Sequence, residues 1–238
     1  MSGDIRMPAD DRVPACLTDS RDRTLVSQAP LIPMPFFGEL PPPVVGSHQY
    51  VGAAQGIYVQ AHHVGLLITA RLTDVSLPYG ELASAIHLRA GLIPFDVALE
   101  MAQAAVAASP LEWAGVVHYD ERENHYHLMT PRILSRSAGE ISYATDAIDP
   151  DRVVCMVHSH GAFPAFFSPT DDLSDTAGVY FACVLGHCQA LNTITCCTRL
   201  VIEGHTLPLV RPPWLTRAEH EFGVQPDDPR LLHEFLPR

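Results

Sequence analysis

The run Val153-Val154-Cys155-Met156-Val157 opens directly into His158-Ser159-His160-Gly161-Ala162-Phe163-Pro164-Ala165-Phe166-Phe167-Ser168-Pro169-Thr170-Asp171. Five successive apolar residues, three of them valine, predict a buried central strand. Residues two apart on a strand share a face, so His158 and His160 project together from its end. Ser159 then points the other way, into packing or a hydrogen bond. Ser168-Pro169-Thr170-Asp171 reads as a helix start, with Ser at the N-cap, Pro at the first helical position and Asp three after the cap. Two imidazoles and a carboxylate are good ligands for one zinc ion and leave a fourth tetrahedral position open. That is the ligand count of a catalytic site, since a structural site closes all four positions. Taken singly, either histidine also reads as a hydrogen-bonded core residue, and the Ser-to-Asp run as a cap alone. The combination of pair, spacing and cap points to a metal.

Upstream, Phe95, Leu99, Ala102 and Val106 recur at helical spacing, with Pro94 at the start and Pro110 just past the end. Trp113 to Tyr119 reads as a strand, Asp120 to Asn124 as a polar turn, and His125 to Met129 as the returning strand. Glu112 stands between that helix and that hairpin. It reads either as a solvated strand-end glutamate or as an acid/base group. Glu100, inside the helix, and Glu81, before it, are the rival glutamates.

The pattern His-Ser-His, seven residues, Ser, two residues, Asp resembles the motif of the JAMM (JAB, MPN+) metalloprotease family. The resemblance implies an α/β fold, with a JAB/MPN-type central mixed β-sheet flanked by helices and a small β-rich N-terminal region ahead of it. It implies His158, His160 and Asp171 as ligands of one Zn2+, Glu112 as general base, and Ser168 as a donor to the tetrahedral intermediate. Members of this family remove ubiquitin or ubiquitin-like proteins or process related sulfur carriers. Many have Pro directly after the second histidine, where this chain has Gly161. In the implied chemistry, zinc makes hydroxide available near neutral pH, Glu112 carries the proton to the leaving amine, and Ser168 helps hold the oxyanion.

The chain has 238 residues and a formal charge of -12, which argues against a nucleic-acid surface. No N-terminal signal region or membrane-length apolar stretch is evident, so the expectation is a cytoplasmic protein without a membrane partner. The cysteines are Cys16, Cys155, Cys183, Cys188, Cys196 and Cys197. No Cys-x-x-Cys pair occurs, so buried reduced thiols are expected rather than a second zinc site. His118, His125 and His127 gather on the hairpin and read as polar strand faces, or as an accessory metal site.

Residues 1–43 read as a flexible, Pro-rich N-terminal segment, loose to about Gln28 and extended from Pro30. Residues 44–90 read as a β-rich lead-in, with strands at Gly56–Ala61 and Leu66–Ala70. Residues 91–205 read as the metalloprotease-like domain, with strands at Val179–Leu185 and Thr193–Ile202. Residues 206–238 form a C-terminal extension with a helical piece at Arg217–Phe222. This layout, with Gly91-Leu92-Ile93-Pro94 and Ser109-Pro110-Leu111-Glu112, resembles the PRTRC system protein A family. That family implies a ubiquitin-like protein substrate and a ThiF/E1-like cassette partner.

All 15 basic residues are arginine. GC-rich codon usage explains this, and so does avoidance of lysine by a protease working among isopeptide-forming enzymes. The absence excludes a P-loop and any lysine-based catalysis. The leading expectation is a zinc-dependent isopeptidase or peptidase. The alternatives are a non-catalytic MPN-type interaction module and a RadC-like DNA-associated protein.

Overall fold

The computed structural model describes residues 31–221. The expected loose tail, Cys16 and the final residue of the expected Arg217–Phe222 helix lie outside them.

Strands β1 (Leu31–Pro33), β2 (Ser47–Ala53), β3 (Gly56–His62), β4 (Leu66–Thr73) and β5 (Ala85–Leu88) form one sheet in sequential order. The two expected strands are β3 and β4, antiparallel and joined by a turn at His63-Val64-Gly65. The Pro-dense stretch contributes β1, which pairs in parallel with Tyr50–Gly52.

Next come α1 (Phe95–Ala108), β6 (Ala114–Asp120), β7 (His125–Met129), β8 (Ile133–Arg136), β9 (Ile141–Tyr143) and a 3-10 turn at Pro150–Arg152. The chain closes with β10 (Val153–Ser159), α2 (Pro169–Ser174), β11 (Val179–Gly186), β12 (Thr195–Ile202), β13 (His205–Pro208) and α3 (Arg217–Glu221). A second, six-stranded sheet has the order β13-β12-β11-β10-β6-β7, and β8 and β9 form a separate hairpin. Within the six-stranded sheet only β10 and β11 are parallel neighbours. Parallel neighbours cannot be joined by a tight turn. The chain must therefore leave the sheet after β10, and the crossover is the loop from His160 followed by α2.

The expected apolar strand is β10, and its neighbour β11 is buried along its whole length. Helix α1 runs between the two prolines and lies against β7 and β10. Its most buried residues are Val97, Met101 and Ala105, not the expected stripe of Phe95, Leu99, Ala102 and Val106, which is half-buried. The alanines of this helix flatten its apolar pattern, so tertiary packing chooses the face. Phe95 instead stacks near His220 of α3, with ring centroids 5.6 Å apart.

One buried cluster holds Val59, Ile68 and Ile86 of the first sheet together with Met101, Val157, Phe181 and Leu200. Burial of such side chains stabilises by roughly 1.5–3 kcal/mol each. No helix among the described residues is long and apolar enough to cross a membrane. The described cysteines are free. Cys155, Cys183 and Cys188 are buried as expected, whereas Cys197 is half-buried and Cys196, near the start of β12, is exposed.

Candidate metal centre

His158 is the penultimate residue of β10 and His160 lies just beyond its end. The strand alternation works as the spacing requires: the two Nε2 atoms stand 3.2 Å apart. Ser159 faces the other way and is fully buried; its hydroxyl accepts the Trp113 main-chain N–H at 2.9 Å. The N–H of Ser159 in turn donates to the Trp113 carbonyl at 2.8 Å.

His160 Nδ1 lies 3.1 Å from the Pro164 carbonyl. A carbonyl only accepts, so Nδ1 is the donor and Nε2 is the ring atom turned toward His158. Burial pushes His158 below the ordinary histidine range, partly offset by Asp171.

Asp171 arrives from the crossover. Ser168 caps α2 and closes a full capping box with Asp171. One carboxylate oxygen, Oδ2, accepts the Ser168 N–H at 2.6 Å and the Ser168 hydroxyl at 2.7 Å. The other, Oδ1, lies 3.4 Å from His158 Nε2. The cap therefore fixes one oxygen and presents its twin to the histidines. Ligand atoms of His158, His160 and Asp171 all lie within 4.8 Å of one another. Tetrahedral zinc with bonds of about 2.0–2.1 Å has ligand–ligand edges of roughly 3.3 Å. The spacings of 3.2 and 3.4 Å and the hard/borderline donor set fit that ion.

Glu112 stands between α1 and β6 and is buried. Its N–H donates to the Ser137 carbonyl at 2.8 Å, tying it to the β8–β9 hairpin side. Burial pushes its carboxyl up to about 7, with repulsion from Asp171 and then Glu140 adding to the rise. The rivals Glu81 and Glu100 are exposed. A buried carboxyl pushed toward neutrality near His158, His160 and Asp171 is suited to general acid/base work.

Gly161 takes φ +54°, and a Cβ there would stand 2.3 Å from the Pro110 carbonyl oxygen. Proline, fixed near φ −65°, cannot adopt this conformation. The loop is pinned farther along by His187 N–H to Phe163 O and Cys188 N–H to Gly161 O, both 2.7 Å. Phe166 stacks edge-on to His160 with centroids 4.5 Å apart, and both Phe163 and Phe166 are exposed.

The hairpin histidines assemble no second site. Among the described residues the His158, His160 and Asp171 trio is the one such grouping. His125 and His127 are exposed, and His127 lies 3.3 Å from Glu123. The residues not singled out in the sequence are Ser137, whose carbonyl accepts the Glu112 N–H, Glu140, whose charge repels the Glu112 carboxylate, and Arg199, which meets the helix carrying Asp171. Arg199 left a trace: it is a lone charge in the apolar run Leu200-Val201-Ile202, a position that demands acidic partners.

Residues 94–200 match the family model described as prokaryotic homologs of the JAB domain. Residues 19–89 match one described as a domain of unknown function, DUF2016. The first match supports JAB-family membership and agrees with the mixed-sheet fold. Comparison with curated proteins gave no match. Among solved structures the chain is similar to the solution structure of protein DSY2949 from Desulfitobacterium hafniense, at 17% identity and a TM-score of 0.38. That similarity covers 54% of this chain and 96% of the other.

Proposed function

We propose that the JAB-type domain at residues 94–200 is a zinc-dependent isopeptidase or peptidase acting on a ubiquitin-like protein. The observation that carries the reading is the convergence of His158, His160 and Asp171 beside a buried Glu112 held near neutrality. His158 and His160 through Nε2, and Asp171 through Oδ1, would hold the ion. Zinc bound there supplies a Lewis acid that acidifies water and polarises a carbonyl.

The chain's own residues do the rest. Glu112 accepts a proton in its ionised form and returns it to the departing amine, a cycle that a carboxyl near pH 7 supports in both directions. The Ser168 hydroxyl first orients Asp171 and, once turned from it, donates to the developing oxyanion. Phe163 and Phe166 give an exposed apolar rim for a folded protein substrate. The β8–β9 hairpin, tied to Glu112 through Ser137, offers a strand edge along which an extended small-residue tail can add by main-chain hydrogen bonds. The PRTRC-type resemblance supports a ThiF/E1-like partner that handles the same ubiquitin-like protein, in the cytoplasm.

The test uses a ubiquitin-like domain ending in Gly-Gly, joined to a reporter as a linear fusion and separately through a lysine ε-amine. Zinc-loaded protein is expected to cut at least one substrate, and chelation or Glu112→Gln to stop it. Tight binding with neither substrate cut under any metal condition would establish the non-catalytic interaction module instead.

A further inference from the structure

Helix α2 has six residues, none of them buried. So short a helix with no buried face is marginal by itself, because nucleation costs more than one turn returns. Yet it carries Asp171, whose oxygen must stay aimed at His158. Something outside the helix has to hold it.

Arg199 on β12 is only 7% exposed, so its charge is out of water and needs full pairing. Its Nε lies 2.8 Å and its Nη2 2.6 Å from Asp175 Oδ2, while Nη1 reaches Asp172 Oδ1 at 2.5 Å. The guanidinium carbon sits 4.0 Å above the centre of the Phe167 ring. Asp175 is held further by the Tyr180 hydroxyl at 2.8 Å, and its N–H closes on the Asp171 carbonyl at 2.9 Å. One side chain thus grips the residue immediately before Ser168, the residue immediately after Asp171, and the helix C-cap. The planar fork matches two carboxylates at fixed angles in a way an ammonium cannot.

We propose that Arg199 is a positioning residue for the metal centre: by clamping Phe167, Asp172 and Asp175 it holds Ser168 and Asp171 in ligand-presenting geometry. This inference rests on the zinc-site reading above.

Zinc affinity, measured by competition with a chromophoric chelator, tests it without any substrate. Arg199→Met keeps an apolar stem against Phe167 but removes the fork. The expected result is a zinc dissociation constant raised on the order of 10-fold or more. The visible absorption of the cobalt(II)-loaded variant should also change, because Asp171 no longer holds one orientation. Arg199→Lys should recover part of the affinity. Asp172→Asn, which alters a largely exposed partner and spares the core, should weaken zinc binding in the same direction but less. If Arg199→Met does not fold, the Lys and Asn variants decide alone. Wild-type affinity and an unchanged cobalt spectrum in the folded variants overturn the clamp while leaving the zinc site standing. A wild-type protein that binds no zinc overturns the proposed function and the clamp together.

Discussion

Ser159, the residue between the two histidines, exchanges both main-chain and side-chain hydrogen bonds with Trp113, the residue directly after Glu112. The strand that offers the imidazoles and the segment that offers the carboxylate are thereby fixed to each other from the far side of the sheet. Ser159→Ala would leave the buried Trp113 N–H without a partner. The expected cost is about 1–3 kcal/mol in chemical denaturation, with a fall in hydrolysis beyond what the lost stability explains. A variant of wild-type stability would mean that another acceptor replaces the hydroxyl.

The Glu112 carboxyl carries its own pH signature in the metal-free protein. Its folded value of about 7 lies above its ordinary 4.5, so the folded state binds the proton more tightly than the unfolded chain. The associated stability is complete below pH 4.5 and is lost as pH rises through 7. The full amplitude is on the order of 3 kcal/mol. Glu112→Gln removes this dependence. In chelator-treated samples the variant should gain on the wild type between pH 5 and pH 7.5, and parallel stability curves would show that Glu112 is not strained by its surroundings.

Purified protein is expected to carry about one zinc per chain, and the double variant His158→Ala, His160→Ala to carry none, by elemental analysis after gel filtration. Removing zinc from the wild type should lower its melting temperature, because the ion binds the folded state alone. Full zinc content in the double variant would shift attention to the cysteines.

The helix between Pro94 and Pro110, the strand at Val153 and the Ser168 cap were legible because each is signalled by neighbours in sequence. The histidine pair followed from strand alternation alone. Less legible was whatever depends on pairing across the fold. Ile133–Arg136 and Ile141–Tyr143 carry too few apolar residues to announce a hairpin, yet Ser137 between them accepts the Glu112 N–H. Arg199 is buried only because Asp172 and Asp175, more than twenty residues away, neutralise it. The alanine-rich α1 announced a helix but not which side faces inward.

Gly161→Ala should be costly although it adds one methyl group. The positive φ disfavours any Cβ, and the added carbon meets the Pro110 carbonyl. The expected loss is about 1–3 kcal/mol, with zinc affinity lowered because His160 must move with the loop. Gly161→Pro, the residue found there in many JAMM proteins, should be worse in this chain than Gly161→Ala. Equal stability of all three would mean that the loop has a second conformation of similar energy.

Val59, Ile68 and Ile86 share their interior with Val157, Phe181 and Leu200, across segments that match two different family models. Separated, each segment would expose its half of a common seam. At that seam Gly65 leaves little room, because a Cβ there would stand 2.9 Å from Val154 Cγ2. A recombinant that splices a foreign first segment onto this second one, with any side chain in place of Gly65, should therefore lose stability at the seam.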